Sequence, residues 1–233
     1  MGDIRSGDLF MRLETATDAT PLSGFELKGP FSLESTGDLP VARLQDTHFD
    51  GDKKETATFV STGSKAFAIV KGKTYALAPG RVAGLSALVR RPGSSGTGTQ
   101  LDVGRWMKGT PKVAAGGLIG GVDTDEVTTD LDVAAVIRGL VSLARSFGAG
   151  QAASLPELTD ADVKRLRGAT KTATMSVWTG KKDKTLRKLV MDVEFRSSDK
   201  RLTDKVKLLS GIRLRLEASI TKLNQPVKVQ APS

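Results

Sequence analysis

SVWTGKKDKTLRKLVMDVEF, residues 176–195, holds two strand-like runs joined by a lysine-rich connection. Met175, just ahead of it, and Val177 point one way on the first run; Met191, Val193 and Phe195 do the same on the second. Apolar residues at every second position mark a strand with one buried face. The fold turns on what that face covers, because the same alternation recurs along most of the chain.

From Phe25 onward the period of two dominates, with Phe25, Leu27, Phe31 and Leu33 sharing a parity opposite Glu26, Lys28 and Ser32. LPVARLQDTHF (39–49), KKETATFVST (53–62), KAFAIVKG (65–72) and KTYALAP (73–79) follow as strands. Between them DGD, TGS and KGK supply the short turns of hairpins. GGLIGGVDTDEVTTDLD (116–132) reads as a strand pair or a long edge strand. In GIRLRLEASI (211–220), Ile212, Leu214, Leu216, Ala218 and Ile220 alternate strictly with polar residues.

Helices are few. PGRVAGLSALVRRP (79–92) is bounded by prolines, and the glycine-rich GSSGTGTQ after it lacks the lysine and following helix of a phosphate loop. DVAAVIRGLVSLARSFG (132–148) carries an apolar stripe through Val133, Val136, Ile137, Leu140, Val141, Ala144 and Phe147, with Asp132 as its cap. Thr159–Asp162 forms a capping box for a third helix running to about Arg167.

These elements predict one α+β domain over residues 1–233: a strongly curved antiparallel sheet, a half-barrel, wrapped over a few helices. Residues 1–20 are expected to be a weakly structured segment or a short helix. Two or three helices cannot cover so large a sheet, so an apolar cavity is expected between the layers. Its lining is expected from Phe25, Leu27, Phe31, Phe59 and Ile69 in the first half of the sheet. Met175, Val177, Met191, Val193, Phe195, Leu214 and Leu216 extend it, with Val136, Ile137, Leu140 and Phe147 from the helix. The two methionines are favoured as ligand contacts because thioethers adapt to variable partners.

Charge and composition narrow the function classes. Lys and Arg number 35 against 26 Asp and Glu, a net charge of +9 that favours anionic partners. Cysteine is absent, which excludes thiolate metal sites, disulfides and a cysteine nucleophile. His48 is the only histidine, placed at a strand end, and reads as a solvated side chain rather than a general base. Asp123, Asp125, Glu126, Asp130 and Asp132 lack the central glycine of a calcium loop, so no metal and no cofactor are expected. The basic runs GKKDKTLRK (180–188) and KRLTDKVK (200–207) carry no interleaved aromatics for stacking bases, and nucleic acid is not expected as a partner. Lys181, Lys182 and Arg187 are instead candidates for meeting an anionic headgroup. No catalytic constellation emerges, and a non-enzymatic protein is expected.

WTGKKDKTLRKL (178–189) resembles the tryptophan-containing hairpin of the LolA-like bacterial lipoproteins, in particular the actinobacterial LppX/LprG type. EASITKLNQPVKVQAP (217–232) is similar to their terminal strand, and GRWMKGTPKVAAGGLIGGVDTDEVTTDLDV (104–133) to their strand-and-turn passage into a helix. Asn224 is the chain's sole asparagine, a composition that fits a GC-rich bacterial genome. The resemblance implies a half-barrel over helices and a carrier of lipid, glycolipid or acylated lipoprotein cargo. It further implies export, a lost leader, and an N-terminal lipid anchor at the outer face of the cytoplasmic membrane. A monomer, with a membrane transporter as loading partner, fits that picture. A second reading keeps the sheet and fills the cavity with the protein's own helices, leaving an envelope sensor or protein-interaction module.

Overall fold

A computed structural model describes residues 4–17, 22–34, 39–77, 106–136, 159–196 and 211–232. Their main feature is one antiparallel sheet of eleven strands. The first six are β1 (Ser6–Thr17), β2 (Ser23–Ser32), β3 (Val41–Asp50), β4 (Lys53–Thr62), β5 (Ala66–Val70) and β6 (Lys73–Ala76). The other five are β7 (Met107–Ile119), β8 (Val122–Leu131), β9 (Thr170–Gly180), β10 (Leu186–Phe195) and β11 (Ile212–Thr221). Their order is β6-β5-β4-β3-β2-β1-β11-β10-β9-β8-β7, so two meanders join where the first strand pairs with the last. The sheet is curved and unclosed, with β6 and β7 at its opposite edges.

Turn chemistry accounts for the hairpins. Lys71 and Gly72 (φ 50° and 76°) link β5 to β6, and Gly120 and Gly121 (58° and 78°) link β7 to β8. Two residues at positive φ twist a turn in the sense that antiparallel strands require.

The N-terminal expectation needs correction. Far from being weakly structured or helical, β1 is a twelve-residue strand paired to β2 on one side and β11 on the other. Leu9, Met11 and Leu13 take one face; Arg12 and Glu14 take the other, but Phe10 sits among them and blurs the alternation. Its partner in β11 lies about two hundred residues away, where no local pattern reveals it.

Helix α1 (Asp160–Ala169) starts at the expected capping box. The Thr159 N–H and hydroxyl both donate to Asp162 Oδ2 (3.1 and 2.7 Å), and the Asp162 N–H returns a bond to Thr159 Oγ1 (3.3 Å). Asp132 caps a helical turn at 133–136, accepting from the Ala134 and Ala135 N–H groups at 3.0 and 3.3 Å, and also pairs with Arg167 of α1 at 2.9 Å. The expected helix over 79–92 and the remainder of the one over 132–148 lie outside the described residues.

Burial, the largest influence on the Asp132 carboxyl, pushes its pKa up, but the Ala135 N–H, Arg167 and the Ala134 N–H together outweigh it and hold the carboxyl below its usual 3.8. Its stabilising contribution is therefore present above that value and lost as pH falls through the lower folded one. Asp132→Asn should reduce stability at pH 7 and flatten its pH dependence below about pH 4, read by urea melts across pH; an unchanged acid limb would count against this role.

The main core gathers where β8–β10 meet these helical pieces: Trp106, Leu131, Val133, Val136, Ala169, Met175, Met191, Val193 and Phe195.

Candidate functional site: the apolar face of the sheet

Strand register decides which side chains share a face, since cross-strand partners point the same way. Thr129, Met175, Met191, Leu216, Leu13, Phe25, His48 and Glu55 are successive partners from β8 to β4. Next to that row runs another: Val113, Val127, Val177, Leu189, Ala218, Met11, Leu27, Asp46 and Ala57. Val193 and Leu214 are partners on one flank, Phe195 pairs with Ile212, and Leu9 with Ile220 on the other flank. Leu44 faces Phe59, and Phe31 faces Ala42. The result is a continuous apolar face spanning both meanders.

Cover varies along it. Met175 and Met191 are 0% exposed, while Leu216, Leu13 and Phe25 in the same row are half-buried, and the row turns polar at His48, whose side chain is 66% exposed, and Glu55. His48 bonds Asp46 at 3.1 Å, with its ring 6.2 Å from that of Phe25. This is the solvated strand histidine expected from sequence. The face thus grades from tightly packed under β9 and β10, through half-covered across β11, β1 and β2, to polar where the two rows reach Asp46, His48 and Glu55 on β3 and β4.

Eleven of the sixteen expected lining residues lie on this face: Phe25, Leu27, Phe31, Phe59, Met175, Val177, Met191, Val193, Phe195, Leu214 and Leu216. Val136 is buried in the core from its helical turn, and Ile137, Leu140 and Phe147 lie outside the described residues. Ile69 is a correction. Its partner is Thr58, then Gln45, then Lys28, which places it on the opposite face, because β5 enters its pairing with Ala66 and Ala68 on the apolar parity. The methionines expected to flex around a ligand are instead fully buried core, next to no water-sized space. Sequence reasoning missed Leu9, Met11 and Leu13, whose half-buried side chains sit at the middle of the face.

The candidate headgroup residues divide. Lys181 and Lys182 are exposed in the β9–β10 turn. Arg187 is buried and bonded to Asp183, with its Nε 3.5 Å from where a Cβ on Gly180 would stand. It locks the hairpin rather than meeting a ligand, and the β-bulge between Leu186 and Lys188 turns it there. The Asp183 carboxyl is held below its usual range by the Thr185 N–H first, opposed by burial, and by Arg187.

The opposite face is a lattice of ion pairs: Arg12 with Glu14 (2.6 Å) and Glu26 (3.4 Å), Lys28 with Glu26 (2.9 Å), Lys188 with Glu217 (2.7 Å) and Arg215 with Asp192 (3.1 Å). A depression of about 280 Å³ there is lined by Phe10, Arg12, Glu14, Arg215 and Glu217. Four charged walls make it unsuited to an acyl chain. Lys188 also stacks over Trp178 at 5.5 Å, so the motif tryptophan belongs to this face. Among the described residues no group of three His, Asp or Glu side chains could hold a metal ion, and Asp125 is paired with Lys184 at 3.0 Å. The run at 200–207 lies outside them.

No family model matches the chain, and no curated protein does. Among solved structures it is similar to the crystal structure of LprF from Mycobacterium bovis, with 13% sequence identity and a TM-score of 0.51 over 99% of this chain and 90% of that one. At that identity the likeness is one of fold. It spans the N-terminal meander as well as the second half, where the sequence resemblance was confined.

Proposed function

We propose that the protein is a non-enzymatic binder or carrier of acylated molecules at the bacterial cell envelope, exported and tethered by an N-terminal lipid anchor. The observation that carries this reading is the half-covered middle of the apolar face, where Leu9, Met11, Leu13, Phe25, Leu27, Leu214 and Leu216 all keep accessible surface. Acyl chains laid along it would gain about 0.8 kcal/mol per CH₂. A chain of about a dozen carbons then supplies about 10 kcal/mol, of the same order as the cost of ordering and association. The fold shared with LprF, together with the hairpin and terminal-strand resemblance to LolA-like lipoproteins, supports a lipid, glycolipid or acylated lipoprotein as cargo.

Native mass spectrometry of the protein purified from a bacterial host, followed by solvent extraction, tests this. Adducts of acyl-lipid mass are the expected result and would begin to identify the cargo. A clean unliganded mass that also stays unshifted by added phospholipid and glycolipid would sink the carrier reading in favour of an interaction module.

A further inference from the structure

The most exposed large apolar side chains among the described residues are Val113 and Leu118, both 71% exposed and both on the edge strand β7. Neither is explained by the core. Leu118 pairs with Asp123, and the Asp123 carbonyl accepts the Lys181 N–H at 2.9 Å. The tips of the β7–β8 and β9–β10 hairpins therefore form one lip, carrying Leu118 beside the exposed Lys181 and Lys182.

Charges on this lip are lopsided. Lys184 is neutralised by Asp125, and Arg187 by Asp183. Lys181 and Lys182 have no acidic partner among the described residues, against one exposed carboxylate, that of Asp123, which has no ion-pair partner of its own among them. A protruding leucine with two unpaired lysines at the adjoining hairpin tip matches the two-part chemistry of an anionic bilayer surface, acyl boundary below and phosphate above. Strand addition to β7 is the competing use of an edge, but Pro111, Lys112 and two register shifts obstruct it. The lip shares its end of the sheet with the start of β1: Asp8 pairs with Thr221, whose side chain comes within 3.6 Å of the Cβ position at Gly120.

The geometry points to a docking lip for anionic membranes, built from Leu118, Lys181 and Lys182. It acts through the folded chain itself and requires neither a lipid anchor nor a bound cargo.

Co-sedimentation of the full chain with vesicles tests it. Wild type should bind vesicles of phosphatidylglycerol and phosphatidylcholine at about 0.1 M salt, more weakly at high salt, and not pure phosphatidylcholine. Each lysine near such a surface contributes about fivefold, so Lys181→Glu with Lys182→Glu should weaken binding by about 25-fold or more. Leu118→Asp should weaken it about tenfold or more, with an unchanged circular dichroism spectrum, since the side chain has little packing to lose. Tyr75→Asp, on the opposite edge strand, should leave binding unaltered. The lip is refuted if wild type ignores phosphatidylglycerol, if the Leu118 and lysine variants bind like wild type, or if Tyr75→Asp weakens binding as much.

Discussion

Gly29→Ala is expected to lower the unfolding free energy by at least about 3 kcal/mol, enough to leave a protein of ordinary stability partly unfolded. Gly29 sits in β2 at φ +141°, a backbone conformation that side chains rarely adopt, and an added Cβ would stand 2.1 Å from the Arg43 carbonyl oxygen. The obstacle is the main chain of β3, so relief requires the two strands to separate. Gly24, five residues earlier at φ +159°, would bring a Cβ to 1.9 Å from the Leu13 carbonyl oxygen on the other side. Between Lys28 and Phe31 the β2–β3 pairing lapses, which is how a sheet is bent while its register is kept. Gly168→Ala in α1 is the control: its Cβ meets nothing within 4 Å, and alanine is the better helix former. Urea midpoints for the pair should diverge in opposite directions. Equal midpoints would mean that β2 is not clamped at Gly29.

The clamp at Gly29 lies beyond what sequence could supply. In GFELKGPFS the alternation of Phe25, Leu27 and Phe31 was plain, and so was the strand; that Gly29 is where the strand bends against β3 depends on a neighbour's carbonyl and is invisible in one dimension. Local signals behaved similarly elsewhere. The Thr159–Asp162 cap, the Asp132 cap and the Lys71–Gly72 turn involve residues within three positions of one another, and each formed as read. Strand β1 escaped because Phe10 interrupts its polar side and its partner β11 is at the far end of the chain. Ile69 defeats the pattern because β5 offers alanine on its apolar parity and large residues, Phe67 and Ile69, on the other. Hydrophobicity alone then points the wrong way. Arg187 looked like any lysine-rich-turn cation, and only the bulge beside it and the closeness of Asp183 commit it to the hairpin.

Met191→Ala and Leu13→Trp should fail in opposite ways, and together they separate the core from the binding surface. Both positions occupy one register row through Leu216, so sequence pattern and strand register treat them alike. Burial does not. Met191 is fully enclosed against the cluster of Met175, Val193 and Phe195, and truncating it leaves a hole that its rigid surroundings cannot fill, at a cost of about 2–5 kcal/mol. The half-covered surface near Leu13 would be untouched, so acyl-lipid adducts should survive in whatever fraction stays folded. Leu13 keeps accessible surface, so an indole there can extend along the face with a stability change smaller than that of Met191→Ala. It would occupy the space through which an acyl chain must lie, between Leu216 and Phe25, and adducts should fall at least tenfold in native mass spectra. If instead Met191→Ala strips the lipid while Leu13→Trp retains it, cargo enters under β9 and β10 by displacing packed core. The methionines would then be ligand contacts after all, and the half-covered middle of the sheet would need another explanation.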